Sequence, residues 1–395
     1  MSSKSRWLLF GLSTPLVILA AVGGLIGAPA APAQQGFEHL RVFEDVVQLV
    51  TGAYVEEVDV DKVMDGAMRG LAEGLDPATS YLPPAEVALI ESKAALPDGD
   101  TGLMITRQFY LRVLGVRDGS SAAKAGLRSG DFVRAIDGTP TRDMSAFTGT
   151  RLLRGAVGTT VKVLVIRGNA AEPHEVTLTR QKVDPTIVTS EMDSKDMVGY
   201  LRIKTFAATG TGGVADAIRQ QAEKLQQQGA KGLVIDIRDV ADGSYDEAIK
   251  AAQVFVASGT IATRAGRDNA NKEVIAVPAG NKALTIPVVV LQAFGTSGPA
   301  EVFAAALAGN KRAELVGERT AGLAAEQRLV KLPENYGLWM TYRRYFTNAG
   351  DAILEKGVTP DLVAEGPNVE FGESAPAVDE MRARAVERVK AAKAS

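Results

Sequence analysis

The run PVVVLQAF, residues 287–294, admits few folding solutions. Consecutive β-branched and apolar residues between Pro287 and a small polar turn suit a strand buried on both faces, and such strands belong to largely parallel sheets covered by helices. The residues that follow fit that setting. Gly295, Thr296, Ser297 and Gly298 form a turn, PAEVFAAALAGN reads as a helix, AELVG as a second buried strand, and ERTAGLAAEQ closes the stretch that ends at Gln327. The turn thus lies between a strand and a helix N-terminus, whose positive dipole end favours a reacting group or an anion. Ser297 is the serine of that turn.

The same alternation extends on both sides. VGYLRIKTF (198–206) and KGLVIDIRD (231–239) read as strands, while 213–228 and DEAIKAAQVFVASG read as helices, so an α/β core is expected over 183–365. Residues 98–182 differ: short β-branched runs separated by Gly and Asp turns, with a helix near 144–153, predict a small β-rich module. Residues 36–97 predict a helical region, with a helical run over 36–73 that ends at GLDPATSYLPPAE. A strand-like YGLWMTYRRYFT follows the core stretch, and 366–395 predict a tail whose helix, EMRARAVERVKAAK, presents a solvated charged face.

Composition narrows the chemistry. A formal net charge of -3 over 395 residues gives no electrostatic case for nucleic acid. The absence of cysteine excludes disulfides, thiol catalysis and cysteine metal sites, and neither a metal nor a cofactor is expected. The histidines are His39 and His174, both far in sequence from Ser297. Residues 1–35 form a segment of another class: Lys4 and Arg6 precede an apolar run from Trp7 to Gly27, then APAAPA. That order predicts export, with the segment serving as a signal peptide or as a membrane anchor.

Within 98–182, AAKAGLRSGDFVRAIDG is similar to the core of a PDZ domain. The resemblance implies that Gly102, Leu103, Met104 and Ile105 present backbone N–H groups to a peptide C-terminal carboxylate while the peptide adds a strand. More landmarks occur in order: GAYVEEVDVDKVMDGAMRGLAEGLDPATSYL, KGLVIDIRD followed by DEA, PVVVLQAFGTSGPAE, ELVGERTAG and LWMTYRRYFTNAGDAILEKGVTPDL. Together they resemble the carboxyl-terminal processing, or tail-specific, proteases of peptidase family S41. That resemblance implies a mixed α/β chain with an N-terminal helical region, a PDZ domain and a core of the ClpP/crotonase-like type.

Such proteases cleave with a serine and lysine dyad, and the family pattern around the nucleophile is S-A-S-A-S-E. Aligned on Glu301, the attacking serine falls on Gly298, which has no hydroxyl. The next position, whose N–H the family uses for the oxyanion, is Pro299, which has none. The lysine of G-E-P-T-F-G-K-G falls on Leu323, and Gln327 matches an assisting glutamine. The family turn N-P-G-G is replaced here by Asp239, Val240, Ala241, Asp242 and Gly243, which places a carboxylate at an oxyanion position and keeps one glycine.

These departures imply an exported, non-cleaving binder, scaffold or regulator. Its partners would be peptide or protein C-termini, with an active protease paralogue or adaptor as a further candidate. Two alternatives stay open: a tail-specific serine endopeptidase using a displaced Ser297 with a lysine yet to be identified, and a PDZ module on a passive core.

Overall fold

The computed structural model describes residues 32–168, 172–208, 212–367, 369–373, 376 and 378–394. The apolar run Trp7–Gly27 lies outside the described residues. Among the described residues no helix is long and apolar enough to cross a membrane.

The described residues form two compact units that divide between Met68 and Arg69. In the first, helix α1 runs over Pro32–Ala53, and α2, Val60–Glu73, begins. Residues 36–73, expected to be helical, are thus divided between two helices. Asp59 accounts for the break: its Oδ1 accepts from the Lys62 N–H at 3.1 Å and so caps the start of the second helix.

The second unit opens with strand β1, Ser80–Leu82, and helix α3, Pro84–Glu91. Strands β2 (Leu103–Gln108), β3 (Tyr110–Val116), β4 (Phe132–Ile136), β5 (Thr160–Ile166) and β6 (His174–Thr179) follow. They form an antiparallel sheet in that spatial order, and helix α4, Ala146–Leu153, lies against β2.

The chain continues through β7 (Val188–Asp193), β8 (Val198–Ile203), α5 (Val214–Gln227), β9 (Gly232–Asp236), α6 (Tyr245–Gln253), β10 (Thr260–Ala265) and β11 (Glu273–Ala276). It ends with β12 (Val288–Gln292), α7 (Pro299–Gly309), β13 (Ala313–Gly317), β14 (Ala325–Lys331), β15 (Gly337–Phe346), β16 (Leu362–Val363) and α8 (Glu380–Ala394). The core sheet has the order β7-β8-β9-β12-β13-β16 and is parallel except for β7 with β8. A second, antiparallel sheet has the order β1-β15-β10-β11 with β14 also on β15, so Ser80–Leu82 is a strand inside a region expected to be helical.

Alternation along the buried strands divides the core into two faces. Leu233, Ile235, Val288 and Val290 pack with α5, α6 and α7 around Phe206 and Phe303, whose rings are 5.5 Å apart. Val234, Val289, Leu291 and Val316 face the other way, onto Met381, Ala385 and Val389 of α8. Thus α8 is more than the solvated helix its charges suggest: those three residues, four apart, form a stripe that covers the sheet. Each large apolar side chain buried this way contributes about 1.5–3 kcal/mol.

A buried ion cluster ties α8 to the sheet. Asp236, at the end of β9, accepts from Arg238 at 2.7 Å, from Arg202 at 3.4 Å and from the Tyr200 hydroxyl, while Arg238 also binds Asp379 at 2.7 Å. Burial alone would raise the Asp236 carboxyl, but the Arg202 and Arg238 charges and their hydrogen bonds outweigh it and hold it at about 2. A depressed folded value gives stability that is present above the ordinary carboxylate range and lost as pH falls toward 2. Asp236→Asn is therefore expected to flatten the acid limb of an unfolding curve between about pH 4 and 2. An unchanged limb in urea melts across that window would remove Asp236 from the acid response.

Candidate functional site

The turn after β12 is pinned to the neighbouring strand before it reaches the helix. Thr296 Oγ1 accepts from the Ala293 N–H at 3.1 Å and donates to Ile237 O at 3.0 Å, and the Ser297 N–H donates to Val240 O at 2.9 Å. Gly298 is then the N-cap of α7 and Pro299 its first residue, with Gly298 at φ 57° and ψ -114°. L residues rarely adopt that conformation, and glycine holds it at no steric cost. Strained strand-to-helix turns of this kind are how some hydrolases expose a nucleophile. A Cβ at 298 would meet only the Tyr245 hydroxyl, at 3.6 Å, so space for a side chain exists.

Glu301, fully buried, organises the surroundings of that turn. Its Oε2 accepts from the Gly298 N–H at 2.9 Å and the Leu323 N–H at 2.7 Å. Its Oε1 accepts from the Gly322 N–H at 2.6 Å and from Thr320 Oγ1 at 2.5 Å. Burial pushes this carboxyl up, and the four donors oppose the rise. The positions singled out in sequence as nucleophile and base, Gly298 and Leu323, are thereby brought to one carboxylate through their backbones.

Tyr245 fills the space between them and was not foreseen from sequence. Its hydroxyl donates to Ala325 O at 2.9 Å and accepts from the Ala325 N–H at 2.9 Å, and its ring stacks on Tyr345 at 4.3 Å. Burial raises the phenol well above its ordinary value, so it is neutral and no base at physiological pH. Gln327 donates to Ala325 O at 3.1 Å and to Thr341 Oγ1 at 3.3 Å. Ser297 is 2% exposed. Of the lysines that follow it in sequence, Lys331 places its amine 2.7 Å from Glu91, and Lys311 is exposed beyond α7.

The 239–243 turn meets the smaller β sheet. Asp242 binds Arg117 at 2.6 Å, so the carboxylate at this expected oxyanion position is neutralised by a partner. Asp239 is half-buried and accepts from Ser129 Oγ at 2.8 Å; desolvation raises its carboxyl. Gly243, at φ 115°, allows no side chain, because a Cβ would lie 2.1 Å from the Phe206 carbonyl carbon.

In the β-rich module, Gly102 precedes β2 and donates its N–H to Asp100 at 2.8 Å; Asp100 is held in turn by Arg154 at 2.8 Å. Leu103 is buried, while Met104 and Ile105 are partly so. Among the described residues β2 pairs only with β3 and is an edge strand. Gly149 of α4 packs directly on Leu111 and Ile105, and the free edge of β2 beside it is where a peptide could add as a further strand.

With this geometry in place, comparison with known proteins becomes decisive. The profile described as PDZ domain matches residues 112–167, and that of peptidase family S41 matches residues 197–364. A carboxyl-terminal-processing protease of Synechocystis sp. is 31% identical over 304 residues, which cover 75% of this chain and 70% of that protein. The chain belongs to peptidase family S41. A further S41 relative, a carboxy-terminal-processing protease of Bartonella bacilliformis, is 28% identical over 335 residues, 85% of this chain and 77% of that protein. Among solved structures, a photosystem II D1 C-terminal processing protease matches with a TM-score of 0.66 at 29% identity, covering 82% of this chain and 92% of that one. The protein is thus an S41 homologue of the C-terminal processing proteases, of mixed α/β fold and with a PDZ domain.

Proposed function

We propose that this S41 member binds peptide or protein C-termini through its PDZ domain and does not cleave them. The observation that carries the reading is Gly298 at the position aligned with the family nucleophile. Pro299 and Leu323 stand where an oxyanion donor and the base are expected, and Gly298 offers no Oγ to acylate. The free edge of strand β2 supports peptide recognition. The protein is an exported one, by the charged start and apolar run of residues 1–35, and acts as a scaffold or regulator that presents C-termini to an active paralogue or adaptor.

Purified protein incubated with an unfolded, C-terminally tagged substrate is expected to leave it intact, as read by mass spectrometry. Peptides with a free terminus are expected to bind, and amidation of the terminal carboxylate is expected to weaken binding about tenfold or more, since hydrogen bonds to a charged group are lost. Cleavage that vanishes in Ser297→Ala would overturn the non-cleaving part of the reading. Equal affinity for acid and amide forms would overturn recognition of the terminus.

A further inference from the structure

We infer that Asp242 is a latch: it holds the Arg117 guanidinium beside the Gly102 loop, and the terminal carboxylate of an entering peptide must take that guanidinium from it. The inference rests on the PDZ reading above and adds a regulatory contact to it.

Arg117 follows β3, and its N–H donates to Gly102 O at 2.8 Å, so its side chain starts beside the loop expected to receive the carboxylate. Asp242 belongs to the 239–243 turn of the α/β core. Gly102, Arg117 and Asp242 line one cavity of about 420 Å³. Beside it the turn and the smaller sheet meet at backbone distance: a Cβ at Gly115 would lie 2.8 Å from Asp239 O, and one at Gly295 would lie 2.4 Å from Ser129 Oγ. Packing holds the Asp239 end of the turn there, whereas the Asp242 side chain reaches the smaller sheet through charge.

The other charges on the cavity wall have partners of their own. Arg154 binds Asp100 at 2.8 Å, Arg202 binds Asp118 at 3.0 Å and Lys204 binds Asp184 at 3.0 Å, while Asp239 accepts from Ser129. Lys182 pairs with no acidic group among the described residues, but it is exposed, and an exposed lysine gains little from an ion pair. With Arg117 and Asp242 included, five cations face five carboxylates. A further carboxylate therefore enters by exchange, one anion for another.

The latch is suited to exchange because it is half-made. Arg117 Nη2 donates to Asp242 Oδ2 at 2.6 Å, but Arg117 Nε and Asp242 Oδ1 are buried without a hydrogen-bond partner. Asp100 lies 3.7 Å from that Nε and is already bound by Arg154 and by the Gly102 N–H. An arginine and a carboxylate can form two parallel bonds, and this pair forms one. The Arg117 and Asp242 side chains are 21% and 24% exposed, so an entering carboxylate has one bond to replace and Asp242 has water to turn to.

The test uses full-length protein and a fluorescein-labelled pool of random decapeptides, prepared with a free C-terminus and again as the amide. Asp242→Asn is expected to bind the acid pool about five- to tenfold tighter than the parent and the amide pool equally, by fluorescence polarisation. Asp242→Ala repeats the measurement without the amide group, and a thermal melt shows that each variant is folded. In an Arg117→Gln background, Asp242→Asn is expected to bring no gain, since the guanidinium the two carboxylates share is gone. Phe371→Ala separates exchange from general loosening. The Phe371 ring stacks on His174 of β6 at 4.5 Å and ties the chain after β16 to the smaller sheet without touching Arg117, so its loss is expected to leave the acid-to-amide ratio unchanged. Equal acid binding by the parent and both Asp242 variants overturns the latch and leaves the PDZ reading intact. So does a gain shared by the amide pool, kept in the Arg117→Gln background or reproduced by Phe371→Ala. Failure of both pools to bind any of these proteins overturns both readings.

Discussion

Gly298→Ser combined with Pro299→Ala and Leu323→Lys is expected to turn this S41 homologue into a slow endopeptidase. On the reading proposed above, each change supplies one missing part: a hydroxyl to attack, a backbone N–H for the oxyanion, and an amine to take the proton. The frame leaves room for the first, since a Cβ at 298 meets only the Tyr245 hydroxyl at 3.6 Å. Backbone strain opposes it. A serine held at φ 57° costs about 1–3 kcal/mol, so the single variant Gly298→Ser is expected to lose that much stability and to gain no activity. Omitting the lysine from the triple variant is expected to lower cleavage by about 10²–10⁴-fold, the range a positioned base contributes. The readout is mass-spectrometric appearance of cut tail peptide, with a urea melt of each variant to show that it is folded. A folded triple variant with no cleavage would sink the idea that these three positions alone separate the chain from activity. Attention would then pass to Asp239–Gly243, where the turn has kept one glycine.

How legible these features were in sequence depended on how local their causes are. Strands β9 and β12 were readable because a strand buried on both faces is almost wholly apolar, and VVVL or LVI has few other uses. Gly298 as N-cap and Pro299 as first helical residue were readable for the same reason, since Pro is pre-organised for that position. The role of α8 was not, because three apolar residues spaced four apart among charges look alike on a solvated helix and on one that covers a sheet. Tyr245 was missed because its partners, Ala325 and Tyr345, lie 80 and 100 residues away, and nothing in SYDEA announces them. Asp242 was expected as an unopposed negative charge. Its partner Arg117 comes from the PDZ sheet, so only the tertiary arrangement shows that the charge is paired.

Glu301→Ala is expected to be among the most destabilising single substitutions in the chain, at about 4 kcal/mol. The estimate follows from counting donors: the Gly298, Gly322 and Leu323 N–H groups and the Thr320 hydroxyl all end on this carboxylate, and each buried donor left unmet costs roughly 1 kcal/mol or more. Against a total stability of about 5–15 kcal/mol that is a large share. Glu301→Gln is not a rescue. Thr320 Oγ1 already accepts from the Val358 N–H at 2.7 Å, so its proton is directed at Glu301 and all four partners are donors. An amide would set its own N–H against at least one of them, and about half of the loss is expected to remain. Thr320→Val removes one donor and the hydroxyl's second contact together, so it is expected to cost less, near 1–2 kcal/mol. Urea denaturation of the three variants checks the order Ala, Gln, Val from largest loss to smallest. A glutamine variant as stable as the parent would mean that the carboxyl is protonated in the folded chain and donates a hydrogen bond, against the all-donor arrangement around it. The strand-to-helix turn at Gly298 and the loop at Leu323 would then be held by α7 packing rather than by charge.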